Sequence, residues 1–121
     1  MTTTILTVDD SRTMRDMLRL TLTAAGFRVV QAVDGEDGLN VLDGEKPSAI
    51  ITDINMPKLD GFGFIARVRA DGRYAGVPIL VLTTESSAEK KAQARQAGAT
   101  GWIVKPFDAD KLIDVVRRVV A

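Results

Sequence analysis

Four places in the chain put a polar, chemically capable side chain directly after an apolar run. Asp9 and Asp10 follow Ile5–Val8, and Asp53 follows Ala49–Thr52. Thr83 and Thr84 follow Pro78–Leu82, and Lys105-Pro106 follows Gly101–Val104. The sequence has no histidine and no cysteine, which excludes imidazole bases, thiol nucleophiles, disulfides and the usual zinc sites. Any chemistry therefore rests on carboxylates, hydroxyls and lysine. Adjacent carboxylates repel and are costly to bury without compensation. Three of them converging call for a hard, oxygen-seeking cation, and Mg²⁺ suits that donor set. Lysine adds a compact positive charge, and a threonine hydroxyl can hydrogen-bond a phosphoryl oxygen. Such a group around one carboxylate suits an aspartyl nucleophile for phosphoryl transfer. Each residue alone has a plainer reading. Asp9-Asp10 could cap a helix, Asp53 could sit in a turn before Met56-Pro57, Thr83 could be structural, and Lys105 could be solvated.

The positions matter only if the fold brings them together. The five apolar runs Ile5–Val8, Phe27–Gln31, Ala49–Thr52, Pro78–Leu82 and Gly101–Val104 are rich in β-branched residues. AIIT and PILVLT do not alternate apolar with polar, as expected of strands covered on both faces. Helical stripes lie between them: Met14, Met17, Leu18, Thr21, Leu22 and Ala25; Phe64, Ile65 and Val68; Leu112, Val116 and Val119. Gly26, Gly44, Gly72 and Gly98 mark helix stops, Ser86 with Glu89 has capping-box spacing, and Asp108 suits an N-cap. This rhythm predicts one α/β domain over residues 1–121. The predicted fold is a (βα)5 doubly wound, five-stranded parallel sheet with the flavodoxin-like strand order 2-1-3-4-5. Functional groups in such folds collect at the carboxyl ends of the strands, where all four sets of residues fall.

Length and charge narrow the partners. The 121 residues carry equal numbers of basic and acidic side chains. Binding to nucleic acid or membrane through a general basic field is therefore not expected. The N-terminal MTTTILTVDD lacks the basic and long apolar regions of a signal peptide, so a cytoplasmic protein is expected. A flavin or nucleotide carrier on the same fold would follow its first strand with a glycine-rich loop, and DDSRTM is not one.

The acidic pair Asp9-Asp10, the run Asp53–Pro57 with Gly61 after it, Thr83, and the run Lys105–Phe107 occur in order and in the right context. Together they resemble a response-regulator receiver domain, and among those a stand-alone CheY-like chemotaxis regulator. The resemblance covers essentially the whole chain. It implies that Asp53 is the phospho-accepting aspartate, supplied by a histidine of a partner kinase. It implies an Mg²⁺ site made of Asp10 directly, Asp9 mostly through water, Asp53, and the backbone carbonyl of Asn55. Thr83 and Lys105 would bind the phosphoryl oxygens, and the Lys105-Pro106 peptide would be cis. The protein would be a signalling domain rather than an enzyme, with at most weak self-dephosphorylation and a phosphatase as a further candidate partner. Its output would be a protein contact, the flagellar motor switch protein foremost; the alternative is a phosphorelay shuttle or phosphate sink that binds no motor target.

The sequence also departs from the usual receiver pattern. Trp102 stands where a smaller aromatic switch residue is usual, which leaves open inward rotation, a smaller tilt, or an indole kept outside as contact surface. Thr84 replaces a usual Ala or Gly. Thr84, Glu85 and Asn55 are the expected tuning positions for dephosphorylation. The fourth helix offers only Ala88, Ala92, Ala94 and Ala97 to the core, so its packing should be weak and its position easily shifted.

Overall fold

A computed structural model describes residues 2–121. The elements run β1 (Thr4–Val8), α1 (Arg12–Ala24), β2 (Arg28–Ala32), α2 (Gly35–Glu45), β3 (Ala49–Thr52), α3 (Gly61–Ala70), β4 (Ile79–Thr83), α4 (Ala88–Ala97), β5 (Gly101–Val104) and α5 (Ala109–Val120). The five strands form one sheet in the order β2-β1-β3-β4-β5, with every pairing parallel. This is the doubly wound, flavodoxin-like arrangement expected from the alternating pattern.

The two faces of the sheet bury separate clusters. Leu6, Val8, Ile50, Phe64 and Ile65 pack on the side of α2, α3 and α4. Ile5, Leu18, Leu22, Ile51, Leu112 and Val116 pack on the side of α1 and α5. Every residue of β3 and β4 is buried, so those strands read as continuous apolar runs. Each fully buried aliphatic or aromatic side chain contributes roughly 1.5–3 kcal/mol of transfer free energy. Thr7 sits in β1 with no exposure, and its hydroxyl has no hydrogen-bond partner among the described residues. None of the described helices is long and apolar enough to cross a membrane.

Several local expectations need correction. Met17 is 45% exposed, because the stripe that α1 buries centres on Leu18 and Leu22. Gly44 does not stop α2; the helix continues to Glu45 and ends at Lys46 in the left-handed region. The cap of α4 is Ser87 rather than Ser86, its side chain accepting from the Lys90 amide. Ala88 and Ala92 are exposed, and Ala94 is the only buried residue of α4.

Chain reversal around β1 creates the crevice. From β1 the chain crosses to β2 on one side, then returns past β1 to β3 on the other. The carboxyl ends of β1 and β3 therefore lie side by side with helices departing in opposite directions. The Asp53 amide donates to the Val8 carbonyl at 2.9 Å and the Asp9 amide to the Ala32 carbonyl at 3.1 Å. These bonds extend the sheet ladder into the two residues that carry the carboxylates.

Candidate functional site at the strand ends

Ser11 decides how the acidic pair is used. Its side chain accepts from the Met14 amide and caps α1, so neither aspartate has that role. Asp9 is 2% exposed, whereas Asp10 faces solvent. One Asp9 carboxylate oxygen, Oδ1, accepts from the Ser11 amide at 2.9 Å, and the other, Oδ2, accepts from Lys105 Nζ at 2.9 Å. The Asp9 carbonyl in turn accepts from Arg15 at 2.8 Å. Both the side chain and the peptide of Asp9 are thus fixed by protein donors.

Asp53 is held in the same way. Its Oδ1 accepts from the Ile54 amide at 2.6 Å and its Oδ2 from Lys105 Nζ at 2.9 Å. Lys105, which follows β5, therefore bridges two buried carboxylates that follow β1 and β3. Carboxylate oxygens of Asp9, Asp10 and Asp53 all lie within 4.8 Å of one another. Burial raises the Asp9 carboxyl above its ordinary range, against the opposing pull of Lys105. For Lys105 burial works to lower the ammonium pKa, but the hydrogen bonds to Asp9 and Asp53 outweigh it and the net shift is upward. Lysine is accordingly a charged counter-ion here, not a proton donor poised near neutrality. The Lys105-Pro106 peptide is cis.

Close backbone contact keeps Asp53 in place from below. The Gly61 amide donates to the Ile54 carbonyl at 2.8 Å. A Cβ at Gly61 would meet the Asp53 carbonyl oxygen and come within 2.7 Å of the Ile54 Cα. Only glycine lets α3 start this close to the segment that carries the acid.

A second set of expected residues is linked separately. Thr83 is fully buried, and its hydroxyl accepts from the Glu85 amide at 3.3 Å. The Glu85 carbonyl accepts from the Trp102 indole at 3.1 Å. Trp102 is half-buried on β5 and packs against the core under α4. A continuous chain of bonds thus joins Thr83, Glu85 and Trp102. Thr84 and Asn55 are exposed, and among the described residues no hydrogen bond ties either of them to the acidic group.

Some participants are not evident from residue type alone. Ser11 had a usable signal, since serine directly before a helical stripe is a preferred cap. Arg15 had none, because its partner is a backbone carbonyl. The same holds for the Trp102 indole bond to Glu85.

Three carboxylates, a bridging ammonium and a buried threonine thus meet at the switch point of a flavodoxin-like sheet. Residues 5–117 match the family model of the response regulator receiver domain. The solved structure of the chemotaxis protein CheY4 of Vibrio cholerae is 43% identical, with a TM-score of 0.94 over 98% of this chain and 99% of that one. The receiver domain of a sensor histidine kinase from Pseudomonas aeruginosa, solved with a magnesium ion coordinated in its active-site cleft, is 27% identical. Its TM-score is 0.92 over 99% of this chain and 98% of that one. The DNA-binding dual master transcriptional regulator RpaA of Synechocystis is 37% identical over 113 residues, which are 93% of this chain but 47% of that protein. The chain thus spans less than half the length of that curated relative. Receiver domains accept phosphoryl groups from histidine kinases in two-component signalling. With the family match running from β1 into α5 and the acidic crevice in its expected place, the chain belongs to the response regulator receiver family.

Proposed function

We propose that the chain is a phosphorylation switch in which Asp53 accepts a phosphoryl group from a phosphohistidine on a partner kinase. The observation that carries this reading is the Lys105 ammonium held at 2.9 Å from both Asp9 and Asp53. A carboxylate oxygen of Asp53 attacks phosphorus, the phosphorus–nitrogen bond breaks, and its electron pair returns to the imidazole of the donor. Phosphorus carries anionic oxygens and so does Asp53, so the barrier is largely electrostatic. Lys105 offsets that charge from one side, and its single partner atom Nζ moves from carboxylate to phosphoryl oxygen with little reorganisation.

The donor set fits Mg²⁺: it is all oxygen, largely anionic and open to solvent at Asp10. Asp9, Asp10 and Asp53 supply those oxygens, and the likeness to receiver domains supports Asp10, Asp53 and the Asn55 carbonyl as the direct ligands and Asp9 as a water-mediated one. When bound, Mg²⁺ supplies charge neutralisation for the incoming phosphoryl oxygens. The Thr83 hydroxyl hydrogen-bonds a phosphoryl oxygen, which draws it from the Glu85 amide and disturbs the Glu85–Trp102 bond. Thr84, Glu85 and Asn55 border this region and tune how readily water attacks the acyl phosphate.

The output is a protein contact on the face around Trp102, and we assign it to chemotaxis through a flagellar motor switch protein. The likeness to CheY4 over nearly the whole length of both chains supports this. Two measurements test the reading. Tryptophan fluorescence should change on adding Mg²⁺ and acetyl phosphate to the wild type and stay flat in Asp53→Asn, Trp102 being the sole tryptophan. An equal response in the substituted protein removes Asp53 as acceptor. Capture of the motor switch protein should then strengthen on phosphorylation; unchanged capture points to a relay or phosphate sink instead.

A further inference from the structure

Helix α4 is held very unevenly along its length. At its start, Ser86, Ser87, Ala88 and Glu89 are all exposed. Near its end Ala94 is fully buried, and Ala97, Gly98 and Ala99 are half-buried. Ala94, Ala97 and Ala99 pack on the core, and one side chain adds a polar tie at that end. Arg69, from the last turn of α3, donates through Nε to the Gly98 carbonyl at 2.9 Å. Its Nη1 is shared among the carbonyls of Tyr74, Ala75 and Val77, at 3.2, 3.1 and 2.6 Å. The guanidinium thus joins three segments: the end of α3, the connection into β4, and the cap of α4.

The fit at Gly98 is tight. Gly98 closes α4 at φ 116, and a Cβ there would lie 2.6 Å from the Arg69 Cγ and 2.9 Å from its Nε. The helix end therefore rests on the arginine stem as well as on its hydrogen bonds. The Gly98 amide donates to the carbonyls of Ala94 and Arg95, and the Ala99 amide to Ala94, which completes the closing turn. The opposite end has weaker ties: the Ser87 cap on the Lys90 amide at 3.2 Å, and Lys90 over the Phe62 ring at 5.6 Å. Planar, multidentate binding of carbonyls is a geometry that arginine provides and lysine does not.

We infer that Arg69 is the fixed anchor of α4, so that switching moves the start of the helix and the segment Thr84–Ser87 while Gly98 stays in place. This rests on the phosphorylation reading above for the trigger, and on the Arg69 contacts for the pivot. The Trp102 indole reaches across from beside Ala94, Arg95 and Ala99, and the Glu85 carbonyl that it bonds lies at the moving end. Its displacement is then delivered as a tilt of α4 rather than as a translation, and the lever arm is the ten residues of Ala88–Ala97.

Amide exchange measured residue by residue tests the anchor. In the wild type without ligand, the Gly98 and Ala99 amides should exchange at least about tenfold more slowly than those of Lys90 and Lys91. In Arg69→Met that protection should fall about tenfold, while the Ile50 and Ile51 amides keep theirs. Should Arg69→Met fail to fold, Arg69→Lys decides: with the charge kept and the fork lost, protection at Gly98 should still drop. On adding Mg²⁺ and beryllofluoride to the wild type, amide shifts should be large at Glu89–Lys91 and small at Ala97–Ala99. Equal shifts at the two ends overturn the anchor, as does unaltered Gly98 protection in both variants. No response anywhere, Trp102 included, refutes the phosphorylation reading instead; the exchange gradient of the unliganded protein then decides the anchor by itself.

Discussion

Replacing Lys105 by methionine tests the electrostatics of the site most directly. Methionine keeps an apolar stem of similar reach and removes the ammonium that bridges Asp9 and Asp53. At 2.9 Å each contact carries about 6 kcal/mol of gross Coulomb attraction at an effective dielectric of about 20. Desolvating the three charges cancels most of that in the wild type. The variant keeps the carboxylate penalty without the attraction, and breaking a buried pair in this way costs about 3–5 kcal/mol. Side-chain exposures of 11% for Lys105, 3% for Asp9 and 11% for Asp53 admit some solvent, which places the expected loss at the low end, about 3 kcal/mol at neutral pH. Urea denaturation with an unchanged slope should report it.

The pH dependence follows from Asp9. Burial already raises its carboxyl above 3.8, and Lys105 opposes that rise. Without Lys105 the folded variant binds this proton more tightly still than the unfolded chain does. Its deficit is therefore complete at neutral pH and shrinks as pH falls through the raised value. In the wild type the lysine contribution is present below 10.5 and disappears as pH rises through its own raised value. Mg²⁺ should also narrow the deficit, since a hundredfold excess over Kd stabilises the folded state by about 2.7 kcal/mol and the variant has no competing ammonium. A loss below about 1 kcal/mol, or one that neither acid nor Mg²⁺ reduces, would refute the bridging argument.

Two further substitutions probe the frame. Gly61→Ala should cost about 1–3 kcal/mol, because the new Cβ must displace the Asp53 and Ile54 backbone, and it should weaken phosphorylation along with stability. Calorimetry together with the Trp102 response checks this; wild-type values for both would mean that α3 can retreat freely. Thr7→Val should raise stability by about 1 kcal/mol, since it removes a buried hydroxyl without a partner. A lower melting temperature for that variant would mean that the hydroxyl is satisfied after all.

The sheet was legible because its strands are buried on both faces. Ala49–Thr52 and Gly101–Val104 coincide with the observed strands, and the others shift by one residue at their ends. The site was legible for the same reason, as its groups follow directly on those runs. What escaped was decided by geometry that residue type does not carry. Gly44 is a plausible stop, yet Leu42 is buried and draws the helix on to a lysine in the left-handed region. Ser86 and Ser87 compete for one cap, and only the position of the Lys90 amide chooses between them. Ala92 is as apolar as Ala94, but only Ala94 faces the core. Arg69 leaves no signal in the sequence, because all its partners are backbone carbonyls, one of them 29 positions away.

The bridge between Asp9 and Lys105 also bears on how the chain matures. The two residues are 96 positions apart, and Asp53 is 52 from the same lysine. A growing chain therefore synthesises both acids long before their counter-charge. Until β5 docks, the crevice carries uncompensated carboxylates at its centre, which keeps that edge hydrated and the last strand's place open. Docking that strand forms a contact of very long sequence separation, whose loop-closure entropy must be met before the contact contributes. Competence to receive a phosphoryl group thus arrives only with the finished sheet, so an incompletely folded receiver cannot send a signal.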